Sequence, residues 1–176
     1  MSNVNPASTN RVIRTLVERH VWKLFLGLGI LIALFGAGDM WSGGTTFATG
    51  ENALFEGFTG TTWENLQASD PNVANLIDYQ VRAGGAGLLI AGILSGIVSL
   101  TGFRRGERWA WYAMWIWPLW TALVILLLSI APRLPGAGTP VPLISGSILL
   151  VISASALALA YPTFFVRRKS EGAQTV

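Results

Sequence analysis

The sequence predicts an all-α membrane protein, a bundle of four transmembrane helices with both termini in the cytoplasm. Three observations support this fold class. Hydrophobic residues make up 52% of the 176-residue chain and charged residues only 12%, whereas a soluble domain has about 25% charged residues. Four apolar runs are long enough to cross a bilayer, and the basic residues form clusters that alternate with these runs in one consistent topology.

The four apolar runs match the roughly 20 helical residues that a ~30 Å hydrocarbon core requires. Trp22 and Trp41 bracket the first and shortest run, and their spacing corresponds to ~28 Å along a helix, which suits tryptophans at the two bilayer interfaces. The predicted spans are about 21–38, 83–103, 109–131 and 141–166. The transmembrane domain 21–166 thus lies between an N-terminal tail, 1–20, and a C-terminal tail, 167–176.

Basic residues set the orientation, because cytoplasmic loops of membrane proteins carry an excess of Lys and Arg. Such clusters occur in the N-terminal tail, between spans 2 and 3, and in the C-terminal tail: Arg11, Arg14 and Arg19; Arg104, Arg105 and Arg108; Arg167, Arg168 and Lys169. The loop 39–81 contains six carboxylates and no Lys or Arg, so it is predicted to lie outside. The expected location is the plasma (inner) membrane.

The outer loop 39–81 is predicted to be partly helical. Its first part, Ser42 to Gly60, is rich in Gly, Thr and Phe and predicts irregular structure near the headgroups. Thr61 and Glu64 have the spacing of a capping box, which predicts a short helix to about Ala68. Ser69-Asp70-Pro71 combines a capping residue with a proline suited to the first helical position. A helix is expected from Pro71 into span 2, either straight or bent at Gly84–Gly85.

Two charged residues stand at the outer ends of spans 1 and 2. Asp39 ends the first span and Arg82 precedes the second, and each is costly if it faces hydrocarbon. One hypothesis is that they form an ion pair. The alternative is that each side chain points separately into the headgroups, where a charge needs no partner.

The chain has little of the side-chain chemistry that enzymes and metal sites use. It contains no cysteine and a single histidine, His20, which either ligates a haem or chlorin metal or, as its position at the edge of span 1 favours, is an interfacial polar residue. The loop carboxylates are 5 to 12 residues apart, too far for a calcium loop. No catalytic residue, metal site or cofactor is predicted, although a bound lipid or pigment is compatible with the apolar spans.

Small residues recur at helical spacing on two spans. On span 2, Gly85, Gly92, Gly96 and Ser99 fall within about 60° of one another on a helical wheel, and on span 4 the corresponding residues are Gly146, Ser153 and Ala160. Such faces allow helices to approach closely. They indicate either an oligomer interface or packing within the bundle, and the second is favoured because every bundle needs such faces.

Span 3 is rich in tryptophan. Trp109 and Trp111 follow Arg108 closely. Together with the neighbouring basic residues, they are predicted to form a belt at the membrane interface. Trp117 and Trp120 are ~12 and ~16 Å further in at ~1.5 Å per residue, too deep for a belt. Pro118 between them is expected to kink the helix and free the carbonyl of Met114. Trp117, Pro118 and Trp120 are therefore either a contact for an apolar ligand or partner, or core packing, which is favoured.

Two motifs resemble those of a loose group of bacterial four-span proteins without an established function. They are Thr62–Leu66 (TWENL) followed by Asp70-Pro71, and Gly106–Trp111 (GERWAW) at the start of span 3. The resemblance covers roughly residues 63–120 and implies the four-span layout but no activity. The layout is also similar to that of claudins, but this chain lacks the cysteine pair that claudins have in their first outer loop.

The function expected from these features is that of a non-enzymatic membrane protein, an accessory or structural subunit of a larger complex or a homo-oligomer. The expected partners are the lipid bilayer and other membrane proteins or further copies of the chain, and not nucleic acid, because the basic residues sit in short clusters beside apolar runs. The alternative is a binder or carrier of an apolar molecule such as a lipid, quinone, carotenoid or chlorophyll at the aromatic face of span 3. A small transporter is less favoured, since the spans lack mid-membrane ionisable residues.

Overall fold

The structure is a computed structural model that describes residues 6–49, 52–135 and 141–165, with side chains over 20–48, 54–135 and 142–165. Within these ranges every regular element is helical and no β-strand occurs. The helices are α1 (Pro6–Ser42), α2 (Thr46–Thr49), α3 (Asn52–Thr59), α4 (Trp63–Ser69), α5 (Pro71–Val98), α6 (Arg108–Ala113), α7 (Ile116–Ile130) and α8 (Val141–Phe165), with a 3₁₀ turn at Gly43–Thr45 and a π-helical turn at Ser99–Phe103.

Four helical segments are long and apolar enough to cross a membrane: His20–Ala48, Pro71–Phe103, Arg108–Ile130 and Pro142–Phe165. They confirm the four predicted spans, and they imply a lipid bilayer environment. The first segment is longer than predicted, because the helical path continues past Ser42. The helix α1 itself begins earlier than the span, at Pro6. The expectation of irregular structure over residues 42–60 is wrong, since a 3₁₀ turn, α2 and α3 occupy most of it.

The predicted start of α5 is confirmed, while that of α4 is displaced by one residue. The Asp70 carboxylate accepts a hydrogen bond of 3.2 Å from the Val73 N–H, and α5 then runs unbroken through Gly84–Gly85. At α4 the capping residue is Thr62 rather than Thr61, because the Thr62 hydroxyl accepts the Asn65 N–H at 3.2 Å. Glu64 then lies in the first turn of α4.

Span 3 is interrupted where the sequence places its proline. The helix α6 ends at Ala113 and α7 begins at Ile116. Pro118 has no N–H to donate to the Met114 carbonyl, which instead accepts the Trp117 N–H at 3.4 Å. Span 3 is thus interrupted near the proline, as predicted, but the Met114 carbonyl is not left free, because it accepts the Trp117 N–H.

The four spans are arranged as two helix pairs. The helix α1 packs along α5, α7 packs along α8, and the pairs meet mainly where α1 contacts α8. The main core is formed where the pairs meet, by buried residues that include Phe25, Met114, Trp117, Leu157 and Phe164. Because α5 does not pack closely against α7 or α8, one side of α5 is only partly covered by the rest of this chain.

A second, smaller core lies in the inter-span segment, residues 43–69. Trp63 is only 2% exposed, and its ring lies 5.7 Å from that of Phe55 and 6.0 Å from that of Phe47. Ala74 of α5 is also buried in this cluster. Gly44 touches the Trp63 ring so closely that an added Cβ would lie 2.1 Å from Cζ2. The segment is therefore a packed cap on the end of the α1–α5 pair.

Candidate functional site

The predicted small-residue face of α5 is used inside the chain. A Cβ added to Gly85 would lie 2.5 Å from the Met40 nitrogen and 2.7 Å from the Gly36 oxygen. A Cβ added to Gly92 would lie 2.6 Å from the Gly29 oxygen. These are backbone atoms, so α1 and α5 touch main chain to main chain. This arrangement agrees with packing within the bundle rather than with an oligomer interface on this face.

The rest of the two predicted small-residue faces is also occupied by this chain. Ser99 is buried and its hydroxyl donates to the Trp22 carbonyl, which ties the end of α5 to α1. A Cβ added to Gly96 would meet the Leu26 side chain at 3.7 Å. On α8, Ser153 and Ala160 are buried, while an added Cβ at Gly146 would lie 3.6 Å from Ile125 of α7.

Of the two alternatives for Asp39 and Arg82, the ion pair between them does not form. The Arg82 guanidinium instead pairs with Asp78, with Nε 2.7 Å from Oδ2. Asp78 precedes Arg82 by four residues on α5, and side chains at this spacing lie on the same face of a helix. Asp39 forms no ion pair with any residue whose side chain is described; its Cβ rests against Gly85.

The Asp78–Arg82 pair fastens the end of α1 to α5. The guanidinium donates hydrogen bonds of 3.0 and 2.8 Å to the carbonyls of Met40 and Trp41 in the last turn of α1, the part of a helix where carbonyls generally lack an intrahelical donor. The Asp78 carboxylate accepts the Gly44 N–H at 2.8 Å. Both charged groups are therefore used for structure, and neither points to catalysis.

The aromatic residues at the start of span 3 have two different surroundings. Trp109 is exposed and its N–H donates to Glu107, as expected for an interfacial anchor. Trp111 is half-buried and donates to the Leu157 carbonyl of α8 at 3.0 Å, so it holds α6 against α8. Arg108 lies over the Phe165 ring at 5.4 Å. The other predicted anchors Arg104 and Arg105 are exposed in the link before α6, and Arg167, Arg168 and Lys169 lie outside the described residues.

The deep tryptophans of span 3 do not form one site. Trp117 is 1% exposed and belongs to the main core, as does the buried Pro118 beside it, while Trp120 is 42% exposed and faces outward. Because residues three apart differ by roughly 60° around a helix, the first points into the bundle and the second lies at its edge. Trp117 is core packing, and its indole N–H has no hydrogen-bond partner among the described residues.

A feature that the sequence prediction missed is a second small-residue face on α5. Gly84, Gly87, Ala91 and Ser95 follow one another at intervals of three or four residues, about 120° around the helix from Gly85 and Gly92. A Cβ added to Gly84 or Gly87 would meet nothing within 4 Å. The same spacing rule that identified the first face identifies this one, but it does not show which of the two is free.

This second face forms one wall of an apolar crevice of about 280 Å³, whose other wall is the break between α6 and α7. The walls include Gly87, Ala91 and Ser95 on one side and Met114 and Ile116 on the other. Ser95 is 6% exposed, and its hydroxyl makes no hydrogen bond within the part of the chain that the structure describes. The crevice is thus apolar with one hydroxyl in its wall, and it is smaller than a groove of about 350 Å³ between α1 and α5 that has no such polar group in its lining.

The described residues contain no group of three or more His, Cys, Asp or Glu side chains that could hold a metal ion. Comparison of the chain with models of protein families, with curated proteins and with solved structures finds no match. The function is therefore argued from the crevice and the surfaces of the chain alone.

Proposed function

We propose that this chain is a non-enzymatic membrane protein that binds a transmembrane helix of another polypeptide in the crevice beside α5. The observation that carries this proposal is the free small-residue face, on which Gly87 has open space around it and Ser95 has an unused hydroxyl. The role is that of an accessory or structural subunit, or of a protomer in a homo-oligomer.

The physics of helix association in lipid supports a helical partner. Lipid tails are as apolar as leucine, so transmembrane helices associate through close packing and hydrogen bonds rather than through burial from water. The other face of α5 shows the mode of contact, because Gly85 and Gly92 there let α1 approach to backbone contact. Gly87 and Ala91 present the same small surface in the crevice, and a partner helix there has an acceptor to offer the Ser95 hydroxyl.

Cysteine crosslinking tests this proposal, since the chain has no cysteine of its own. In native membranes, a Gly87→Cys variant labelled with a benzophenone maleimide is expected to form a covalent product with the partner on irradiation, because the excited ketone inserts into any nearby C–H bond. Twice the mass of the chain identifies a second copy, and any other mass identifies a different subunit. The matched control is Gly38→Cys on α1, where an added Cβ also meets nothing within 4 Å. It is expected to give at most one tenth of that product.

A second candidate function uses the same crevice for a small apolar molecule with an acceptor oxygen, such as a lipid or quinone. The unused Ser95 hydroxyl favours it, and the volume of about 280 Å³ is near the lower end of ligand pockets. In that case Gly87→Cys gives no covalent protein product, and mass spectrometry of the purified protein detects a bound small molecule. Equal crosslinking at Gly87→Cys and Gly38→Cys would count against both functions.

We also propose that the inter-span segment faces the outside of a plasma (inner) membrane and that both termini are cytoplasmic. The support is the charge distribution: Lys23, Arg104, Arg105 and Arg108 lie at one end of the helix pairs, and the acidic inter-span segment lies at the other. Two basic residues lie at the acidic end: Arg82, which pairs with Asp78, and Arg133, next to which the Leu134 N–H bonds to the Gly57 carbonyl at 3.0 Å.

This orientation predicts which engineered thiols a membrane-impermeant maleimide reaches. Glu56→Cys, in the exposed part of α3, is expected to react in intact cells, and Arg105→Cys only after the membrane is permeabilised. Both side chains are exposed in the structure, so accessibility within the fold is matched. If Arg105→Cys were labelled in intact cells and Glu56→Cys were not, the topology would be the opposite of the one proposed.

A further inference from the structure

Two cationic side chains from distant parts of the chain share one tryptophan ring. The Arg104 guanidinium carbon lies 5.2 Å from the centre of the Trp22 ring, and the Lys23 ammonium lies 5.7 Å from the same centre. Trp22 and Lys23 belong to α1, whereas Arg104 follows the π-helical turn that ends span 2. The hydrogen bond from the Ser99 hydroxyl to the Trp22 carbonyl holds these two parts together.

These cations have no acidic partner. Among the residues whose side chains are described, no carboxylate forms an ion pair with Lys23 or Arg104, nor with the neighbouring Arg105 and Arg108. The one carboxylate of the link, Glu107, accepts the N–H of Trp109 instead. Like charges gathered on one ring repel each other, so an external anion between them lowers the free energy of this arrangement.

The position of the pair indicates the kind of anion. Trp22 lies near the first residue of span 1, and Arg104 directly follows the last residue of span 2. Both are at the level at which tryptophans and basic residues meet lipid headgroups. A headgroup phosphate at this level has an ammonium and a guanidinium close to one ring, and the guanidinium is the side chain best suited to phosphate oxygens. The exposed apolar faces of α1 and α5 below it suit the acyl chains.

We infer that Lys23, Arg104 and Trp22 form a binding site for the phosphate of an anionic phospholipid. This site is independent of helix docking beside α5, because it lies on α1 and on the link between spans 2 and 3. Its two cations lie over the same ring, and this defined position distinguishes the site from a diffuse attraction between basic residues and an acidic membrane surface.

Native mass spectrometry of the protein in mild detergent tests the site, with phosphatidylglycerol and phosphatidylcholine added in equal amounts. The intact chain is expected to retain phosphatidylglycerol preferentially. A hydrogen bond to a charged group contributes ~1.5 kcal/mol, or about tenfold in affinity. Arg104→Gln is therefore expected to weaken phosphatidylglycerol binding about tenfold, and the Lys23→Gln, Arg104→Gln double variant about a hundredfold.

The matched control is Arg105→Gln, which removes the same charge from the adjacent residue and is expected to change binding less than twofold. Arg104→Lys keeps the charge and is expected to restore most of the binding, while far-UV circular dichroism verifies that each variant keeps its helices. Equal losses in Arg104→Gln and Arg105→Gln would overturn the site in favour of a diffuse field. Equal retention of the two lipids, or displacement of the lipid by an equal concentration of glycerol phosphate, would overturn it as well.

Discussion

Replacing Gly85 with alanine is expected to force α1 and α5 apart and to lower the free energy of unfolding by about 2 kcal/mol, a typical cost of overpacking. The added methyl group would lie 2.5 Å from the Met40 nitrogen and 2.7 Å from the Gly36 oxygen. These main-chain atoms cannot rotate out of the way as a side chain can, so the helix axes must move. Denaturation in mixed micelles with increasing amounts of a denaturing detergent, followed by far-UV circular dichroism, measures the loss.

The matched control is the neighbouring glycine. Gly84→Ala places the same methyl group on the same helix where nothing lies within 4 Å, and alanine is the better helix former by up to ~1 kcal/mol. Its free energy of unfolding is therefore expected to stay the same or to rise. If Gly85→Ala were no less stable than Gly84→Ala, the main-chain contact between α1 and α5 would not hold the two spans together.

The contact between α1 and α5 shows how far the sequence predicts this fold. The periodicity of Gly85 and Gly92 is a local property of one helix, and it identified the contact face of α5. The partner residues on α1, Gly29 and Gly36, are seven residues apart and show the same periodicity. Which helix meets which, and which small-residue face stays free, depends on the arrangement of the pairs, and no single span encodes that.

Residues close together in the sequence explain the errors as well. The pairing of Asp39 with Arg82 was predicted from the ends of two spans, yet Asp78 is four residues before Arg82, a spacing at which opposite charges meet on one helix. The sequence therefore contained the signal for the pairing of Asp78 with Arg82. It contained no comparable signal for the helices between Ser42 and Gly60, because a stretch rich in Gly and Thr has weak helix propensity and is ordered here by packing against Trp63.

For the crevice, the sequence predicted one of its two walls. The break near Pro118 was predicted, and it forms the wall opposite α5. Trp117 and Trp120 were treated together, but the bundle buries one and exposes the other. Burial depends on where the neighbouring helices lie, and a helical wheel of one span does not contain that information.

Replacing Trp63 with alanine is expected to unfold the inter-span segment while the four spans remain helical. The side chain is 2% exposed and packs against Phe47 and Phe55, and removing a buried tryptophan costs about 3–5 kcal/mol. A small cluster of this kind has little else to offset the loss. The segment contains Glu51, Glu56 and Glu64 but no Lys or Arg, so limited proteolysis with a glutamate-specific protease reports its unfolding and trypsin does not.

Cleavage after Glu56 and Glu64 is expected to be at least tenfold faster in Trp63→Ala than in the unaltered chain, because a protease cuts a folded segment in proportion to its open population. The control is Trp41→Ala, which removes the same side chain at a position that is 85% exposed and is expected to leave the cleavage rate within twofold. The Asp78 carboxylate also holds this segment, through the Gly44 N–H. If Trp63→Ala resisted cleavage as well as Trp41→Ala, that hydrogen bond and the Asp78–Arg82 pair, rather than the aromatic cluster, would keep the cap folded on the α1–α5 pair.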